Sequence, residues 1–408
     1  MSNNNQHSSS SISLLSGWLL LLGALTGLAP LSIDMYLPGF PAIEKSLLAR
    51  AGSAELTLAS YFIGLALGQL FYGPFSDRFG RRRPLMVGLV IYIAASVGCA
   101  FAGSIPELIF WRFLQALGGC AGMVVTMAII RDRCSANDAA RALSMLILIM
   151  GIAPILAPLV GGWIVTTLDW RALFITLAVA GTLGLLAVYF RLEETHDTSK
   201  EPPLVFSQVL LNYGRLLVDR KFIGYTLSGG LARAGMFAYI AGSPFVFIEY
   251  YQIPAQHYGW IFGSNAAGLI LFSQINAWRL KNHDVTVLLS RALWLPAAIG
   301  VLLLISSLTG HITLPLLLVG IFCFVASIGY IGPNSSAATL ATHGQNAGTA
   351  SALMGSLQFC LATIAGFMVN LLHDGTTFPM AMVMAGCGIG AWGMHRWLIV
   401  KKIATSKS

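Results

Sequence analysis

The chain has 408 residues, 56% of them hydrophobic and 10% charged, with a mean hydropathy of +0.75. A soluble domain carries roughly 25% charged residues, so a large water-soluble domain is excluded and a polytopic all-α membrane protein is expected. The formal charge of +8 does not point to nucleic acid, because the basic residues fall in short stretches between apolar runs of about 20 residues, the length that crosses a bilayer as a helix.

In chain order, residues 1–12 are Ser- and Asn-rich and lack the positive segment of a signal peptide. They read as a short disordered cytoplasmic tail. Twelve spans follow, at roughly 13–36, 54–75, 84–103, 107–130, 140–165, 171–190, 222–248, 257–279, 286–308, 313–334, 347–371 and 376–398. A polar stretch over 191–221, with Glu193, Glu194, Asp197, Lys200, Glu201, Pro202 and Pro203, divides them into two six-helix halves, 13–190 and 222–398. Residues 399–408 form a second tail. Two such halves, each with internal inverted repeats, suit a secondary transporter.

Nineteen of the 24 Lys and Arg residues fall in alternate loops and the C-terminal tail; Lys45, Arg50 and Arg171 fall on the opposite side, and Arg112 and Arg233 lie within spans. By the positive-inside rule both termini are cytoplasmic. Five of the six cysteines lie in apolar runs without ligand spacing, so neither a disulfide framework, a metal site nor a cofactor is indicated. No G-x-x-x-x-G-K-[ST] loop occurs, which argues against ATP as the fuel.

The first span ends in Leu28-Ala-Pro30-Leu-Ser-Ile-Asp34-Met35-Tyr36-Leu-Pro38. Asp34 is read as the only acid well inside an apolar segment, and an intramembrane carboxylate is costly enough to be a functional-site hypothesis by default. It would take up and release a proton. Pro30 frees the carbonyl of Thr26 and offers a bend. Arg112 in span 4 is placed at a similar depth below the outer surface, as a partner for Asp34. A permanent structural pair, or an Asp34 that only caps a helix end, are the simpler readings.

Between spans 2 and 3 stands Gly73-Pro-Phe-Ser-Asp77-Arg78-Phe-Gly80-Arg81-Arg82-Arg83. The glycines suit a sharp turn and close helix approach. Asp77 suits helix-end amides or an arginine, with Arg131-Asp132 at the end of span 4 as a candidate partner in a charge latch. Span 5 carries Gly151, Pro154, Pro158, Gly161 and Gly162, a small-residue surface for packing against the other half. Arg233 in span 7 either lines the interior or snorkels to the inner surface, and the two readings weigh equally. Met35, Tyr36, Tyr61, Gln69, Arg233, Met236, Phe237, Tyr239, Asn334 and Gln358 are the candidates for a mainly apolar cavity suited to amphipathic molecules, each alone weighing toward packing.

The loop at Gly73 to Arg83 resembles motif A of the major facilitator superfamily. Arg112-Phe-Leu-Gln115-Ala116-Leu-Gly118 resembles its motif B, with Ala116 in place of the usual glycine, and Gly151 to Gly162 is similar to its motif C. The run Ser32 to Pro38, with Ala157-Pro158-Leu-Val-Gly-Gly-Trp163, Ala234-Gly-Met236 and Ser243-Pro244-Phe245-Val-Phe-Ile-Glu249, resembles the Bcr/CflA drug:proton antiporters. The resemblance covers nearly the whole chain. It implies a monomeric inner-membrane exporter of small drugs of the chloramphenicol and bicyclomycin kind, driven by protons in alternating access. An importer on the same fold is the nearest alternative and an integral-membrane enzyme a remote one.

Overall fold

The computed structural model describes residues 17–50, 52–134, 136–196, 206–341, 343 and 347–400. The two expected tails, and Asp197, Lys200, Glu201, Pro202 and Pro203 of the central stretch, lie outside the described residues, apart from residues 399 and 400. The first half is built from α1 (Gly17–Asp34), α2 (Phe40–Ser46), α3 (Ser53–Phe79), α4 (Arg82–Phe101), α5 (Ile105–Arg133), α6 (Ala136–Thr167) and α7 (Trp170–Arg191). The second is built from α9 (Arg220–Pro244), α10 (Ala255–Arg279), α11 (Val285–Ala292), α12 (Trp294–Leu308), α13 (Leu314–Ala341), α14 (Ala347–Leu371) and α15 (Phe378–His395). Between them lies α8 (Phe206–Val218), a helix in the stretch expected to be loop.

Among the described residues, ten helical segments are long and apolar enough to cross a membrane. The other two spans, α10 and α15, carry more polar groups or are shorter, and complete the twelve-helix arrangement. Polar caps mark several helix starts. Ser104 accepts from the Glu107 amide while Glu107 reaches back to the Gly103 amide, a reciprocal capping box. Asp169, Asp219 and Asp284 each accept from the first amides of α7, α9 and α11.

The first span is longer than its apolar run implied. A tight turn at Leu37–Gly39 follows α1 and leads into α2, so helical chain continues to Ser46. Pro38 and Pro41 sit at the starts of new helical pieces, where a missing amide costs nothing. Twelve further residues, most of them helical, therefore follow Asp34 before the first membrane segment ends at Ser46. The ninth span is divided at Leu293 into α11 and α12.

The halves meet along α3 against α14 and α6 against α10. At one end of the α3–α14 seam the Asn370 side-chain amide donates to the Gly52 carbonyl; at the other, a Cβ on Gly355 would stand 2.7 Å from Gln69 Oε1. Between them Phe62 meets Phe237 and Phe359, with ring centroids 4.6 and 6.3 Å apart.

Candidate functional site

Asp34 is buried and makes no hydrogen bond or ion pair with any described residue. Its expected partner is engaged elsewhere. The Arg112 guanidinium lies 4.4 Å from the Tyr36 ring centroid and 4.2 Å from that of Tyr61. Arg112 Nη1 donates to Gln115 Oε1 at 2.6 Å, and Gln115 Nε2 donates to Ser96 at 2.8 Å. Arg112 Nε and Nη2 have no conventional acceptor, so the aromatic faces supply the negative potential that a carboxylate would otherwise give. This corrects the expected Asp34–Arg112 pair: two rings stand where the carboxylate was expected.

Asp34 instead lies within electrostatic reach of Tyr239 and Tyr258, both in the second half. Tyr239 Oη accepts from Asn265 at 2.9 Å, and Tyr258 Oη shares a 2.7 Å bond with Ser243. Beside Asp34, Gly161 of α6 is packed so closely that a Cβ there would stand 2.0 Å from the Met35 carbonyl oxygen. The carboxylate thus sits at the seam of the halves, in a position fixed by helix packing.

Asp34 is not the only buried acid. Glu44 on α2 accepts from the Ala54 amide at 2.8 Å, and Glu55 in the first turn of α3 is buried with Oε2 unpartnered. Sequence reasoning passed over both because they fall at the edges of apolar runs. The continuation of the first span through α2 is what encloses them.

At the other end of the bundle the loop between α3 and α4 forms a charge cluster. Its centre is Arg81, which is buried. Arg81 Nη1 reaches Asp77 at 2.5 Å and Ser76 at 3.0 Å, and Nε reaches Asp132 at 2.7 Å. Arg131, expected as the partner of Asp77, is largely exposed and stands 3.8 Å from it. Asp132, expected beside Arg131 as a partner for Asp77, joins the cluster through Arg81. Arg82 donates to the Tyr189 carbonyl, while Arg78 makes no ion pair among the described residues. Gly80 adopts φ +82°, which favours glycine. Gly73 has open space where a Cβ would stand, so close approach does not require glycine there. Glu194, missed as a site residue, accepts from the backbone amides of Arg81 and Arg82 at 2.8 and 3.1 Å.

The glycines of α6 divide their contacts. A Cβ on Gly151 would stand 2.9 Å from Ile270 and one on Gly162 would stand 2.6 Å from the Ala255 carbonyl, both on α10 of the other half. Gly161 packs on its own half. Pro154 and Pro158 lie within the same helix.

The expected cavity residues separate as well. Tyr36 bonds Thr57 at 2.7 Å and Tyr61 donates to the Ala29 carbonyl at 3.3 Å, both beneath Arg112. Asn334 exchanges two hydrogen bonds with Asn276. These three are held by their own half. Gln69 and Phe237 lie along the seam and Tyr239 is within reach of Asp34, while Gln358 packs near Gly230 of its own half; Met35 and Met236 stand near Asp34 and Phe237 in the chain. Arg233 lies well inside α9 and is partly buried. A Cβ on Gly332 would stand 3.1 Å from its Nη2, yet Arg233 makes no hydrogen bond or ion pair with a described residue.

A sequence model of the Major Facilitator Superfamily matches residues 22–367. The chain belongs to the Major Facilitator Superfamily. It is 35% identical to an uncharacterized MFS-type transporter of Bacillus subtilis, over 89% of this chain and 90% of that protein. It is 30% identical to a bicyclomycin resistance protein homolog of Haemophilus influenzae, over 91% and 93%, and 30% identical to a multidrug resistance protein of Klebsiella pneumoniae, over 91% and 93%. Among solved structures, a peptide transporter in complex with alafosfalin superposes with TM-score 0.74 at 14% identity, covering 95% of this chain and 94% of that one. A D-xylose-proton symporter superposes with TM-score 0.70 at 16% identity, covering 93% and 98%. At such identities these two speak for the fold alone. This member of the superfamily is a multi-pass membrane transporter of small molecules, not an enzyme.

Proposed function

We propose that this transporter exports small amphipathic drugs across the inner membrane in exchange for protons, with Asp34 carrying the proton. The observation that carries the reading is the Asp34 carboxylate, buried at the seam of the halves without a cationic partner. A carboxylate in such a place changes the interaction between the halves when it gains or loses a proton. The names of the Haemophilus and Klebsiella relatives support a drug as the cargo.

The cycle follows from that placement. Protonation from the outside neutralises Asp34 opposite Tyr239 and Tyr258 and lets the halves close around it. Reopening toward the cytoplasm releases the proton, and the charged site then accepts drug. The charge cluster around Arg81 holds the cytoplasmic ends of α3 and α5 together during one phase and parts in the other. That end faces the cytoplasm because it gathers most of the basic residues. Two six-helix halves rocking about one central site suit a monomer.

Arg233 offers guanidinium donors that no described residue uses, which suits a cargo rich in carbonyl or hydroxyl oxygens. The driving force is sufficient: one charge crossing 100 mV is worth about 2.3 kcal/mol, or roughly a fifty-fold concentration ratio. Everted membrane vesicles test the reading. Addition of a cargo drug to energised vesicles releases protons from the lumen if the protein is an antiporter. Drug accumulation that runs with the proton, or ignores it, rejects antiport.

A further inference from the structure

In the second half, α10 and α11 flank α13 and leave a groove of about 230 Å³ between them. Arg279, from the last turn of α10, and Arg291, from the end of α11, both line it. Two arginines from different helices converge there, and neither forms an ion pair with a described carboxylate. The nearest acid in sequence, Asp284, is occupied by the amide and hydroxyl of Thr286 at 2.7 and 2.6 Å.

Apart from Ser327, the rest of the wall is apolar or aromatic. Phe272 and Tyr330 meet edge to face at 6.1 Å between centroids, and Leu288 lies beside them. Trp294 lines the same groove and is 56% exposed. Tryptophan in this setting belongs at the level of lipid headgroups. Helix alternation puts both arginines at the end of the bundle that carries Arg81.

We propose that this groove binds an anionic phospholipid, its phosphate held between Arg279 and Arg291 and an acyl chain laid along Phe272, Leu288 and Tyr330. The charge pattern selects a phosphodiester with net negative charge, since paired guanidinium groups match phosphate oxygens. The apolar and aromatic groups beside the two arginines favour a lipid over a free phosphate ion. The site is separate from the transport seam, so its occupancy and the transport reading stand or fall independently.

The test uses purified, delipidated full-length protein in a neutral detergent. Phosphatidylglycerol, phosphatidylethanolamine and inorganic phosphate are titrated in turn, with retention read by native mass spectrometry and stability by thermal melting. Wild type retains phosphatidylglycerol and melts higher with it, while phosphatidylethanolamine and inorganic phosphate have little effect. In the double variant Arg279→Gln/Arg291→Gln, affinity for phosphatidylglycerol falls about thirty-fold, from two basic contacts near a membrane surface. The charge-keeping double variant Arg279→Lys/Arg291→Lys retains most of it and guards against a folding defect. Equal retention of phosphatidylglycerol by wild type and the Gln variant overturns the proposal. So does equal retention of the two lipids by wild type, or an effect of inorganic phosphate as large as that of the anionic lipid.

Discussion

The Arg112 guanidinium lies over the Tyr61 ring, 4.2 Å from its centroid, with Tyr36 beside it at 4.4 Å. A fully buried cation is tolerated here because two aromatic faces and one amide oxygen, from Gln115, share its charge. The arrangement ties α5 to the turn after α1 and to α3, all within the first half. It also leaves Asp34 free of a permanent counter-charge.

Replacing Tyr61 separates the ring from its hydroxyl. Tyr61→Phe keeps the aromatic face and loses the hydroxyl, with its 3.3 Å bond to Ala29, so it retains near-normal stability and transport. Tyr61→Leu removes the face and lowers stability by about 2 kcal/mol, the scale of a desolvated cation–π contact. Thermal melting of the two variants in detergent checks the difference. Equal losses show that the ring is not what holds Arg112.

Gly161 and Gly73 carry opposite expectations although both belong to glycine-bearing motifs. Gly161→Ala drives a Cβ against the Met35 backbone carbonyl, and backbone cannot step aside as a flexible side chain does. Transport is lost or strongly reduced, and α1 is displaced next to Asp34. Gly73→Ala meets nothing within 4 Å and lies inside α3, so it is neutral or slightly stabilising. Vesicle transport and surface expression of both variants test the pair.

The cluster at Arg81 has a built-in acid sensitivity. Burial by itself would raise the Glu194 carboxyl, but the amides of Arg81, Arg82, His196 and Thr195 hold it below the ordinary glutamate value. Its folded value is lowered, so its contribution is present above the unfolded value and is lost as pH falls through the folded one. Glu194→Gln therefore lowers the melting temperature at neutral pH, and the gap from wild type closes in acid. Arg81→Ala is more severe, by about 3 kcal/mol, since it strands Asp132 without its closest partner. Melting curves across pH distinguish the two; a Glu194→Gln gap that widens in acid contradicts this assignment.

Arg233 is predicted to act on cargo rather than on protons. Arg233→Gln raises KM for oxygen-rich drugs by about ten-fold, the loss of one charge-assisted hydrogen bond, and leaves the coupling ratio unchanged. A kinetic split between KM and the proton-to-drug ratio, measured in proteoliposomes, checks it. A changed ratio with unaltered KM assigns Arg233 to the proton path instead.

The twelve spans were legible because apolar runs of bilayer length are hard to mistake, and Asp34 because a carboxylate stands out in one. Asp77, Gly80, Arg81 and Asp132 were legible from their spacing. What escaped was whatever depended on helix rotation and on contacts distant in sequence. Linear depth brought Arg112 level with Asp34, but depth does not say which way a side chain faces. Asp34 opposite Tyr239 and Tyr258, and Glu194 against Arg81, join residues more than a hundred positions apart, with no local pattern to announce them. Glu44 escaped because a short helix with one proline just before it and one in its first turn resembles a loop when read as sequence.

The most direct test is Asp34→Asn in proteoliposomes with an imposed proton gradient. Asparagine keeps the size and hydrogen-bonding capacity of a protonated aspartate but cannot ionise. The account predicts that the variant folds, binds drug or exchanges it passively, and neither accumulates drug against a gradient nor moves protons when drug is added. Uphill, proton-linked drug transport by Asp34→Asn at the wild-type rate would contradict it.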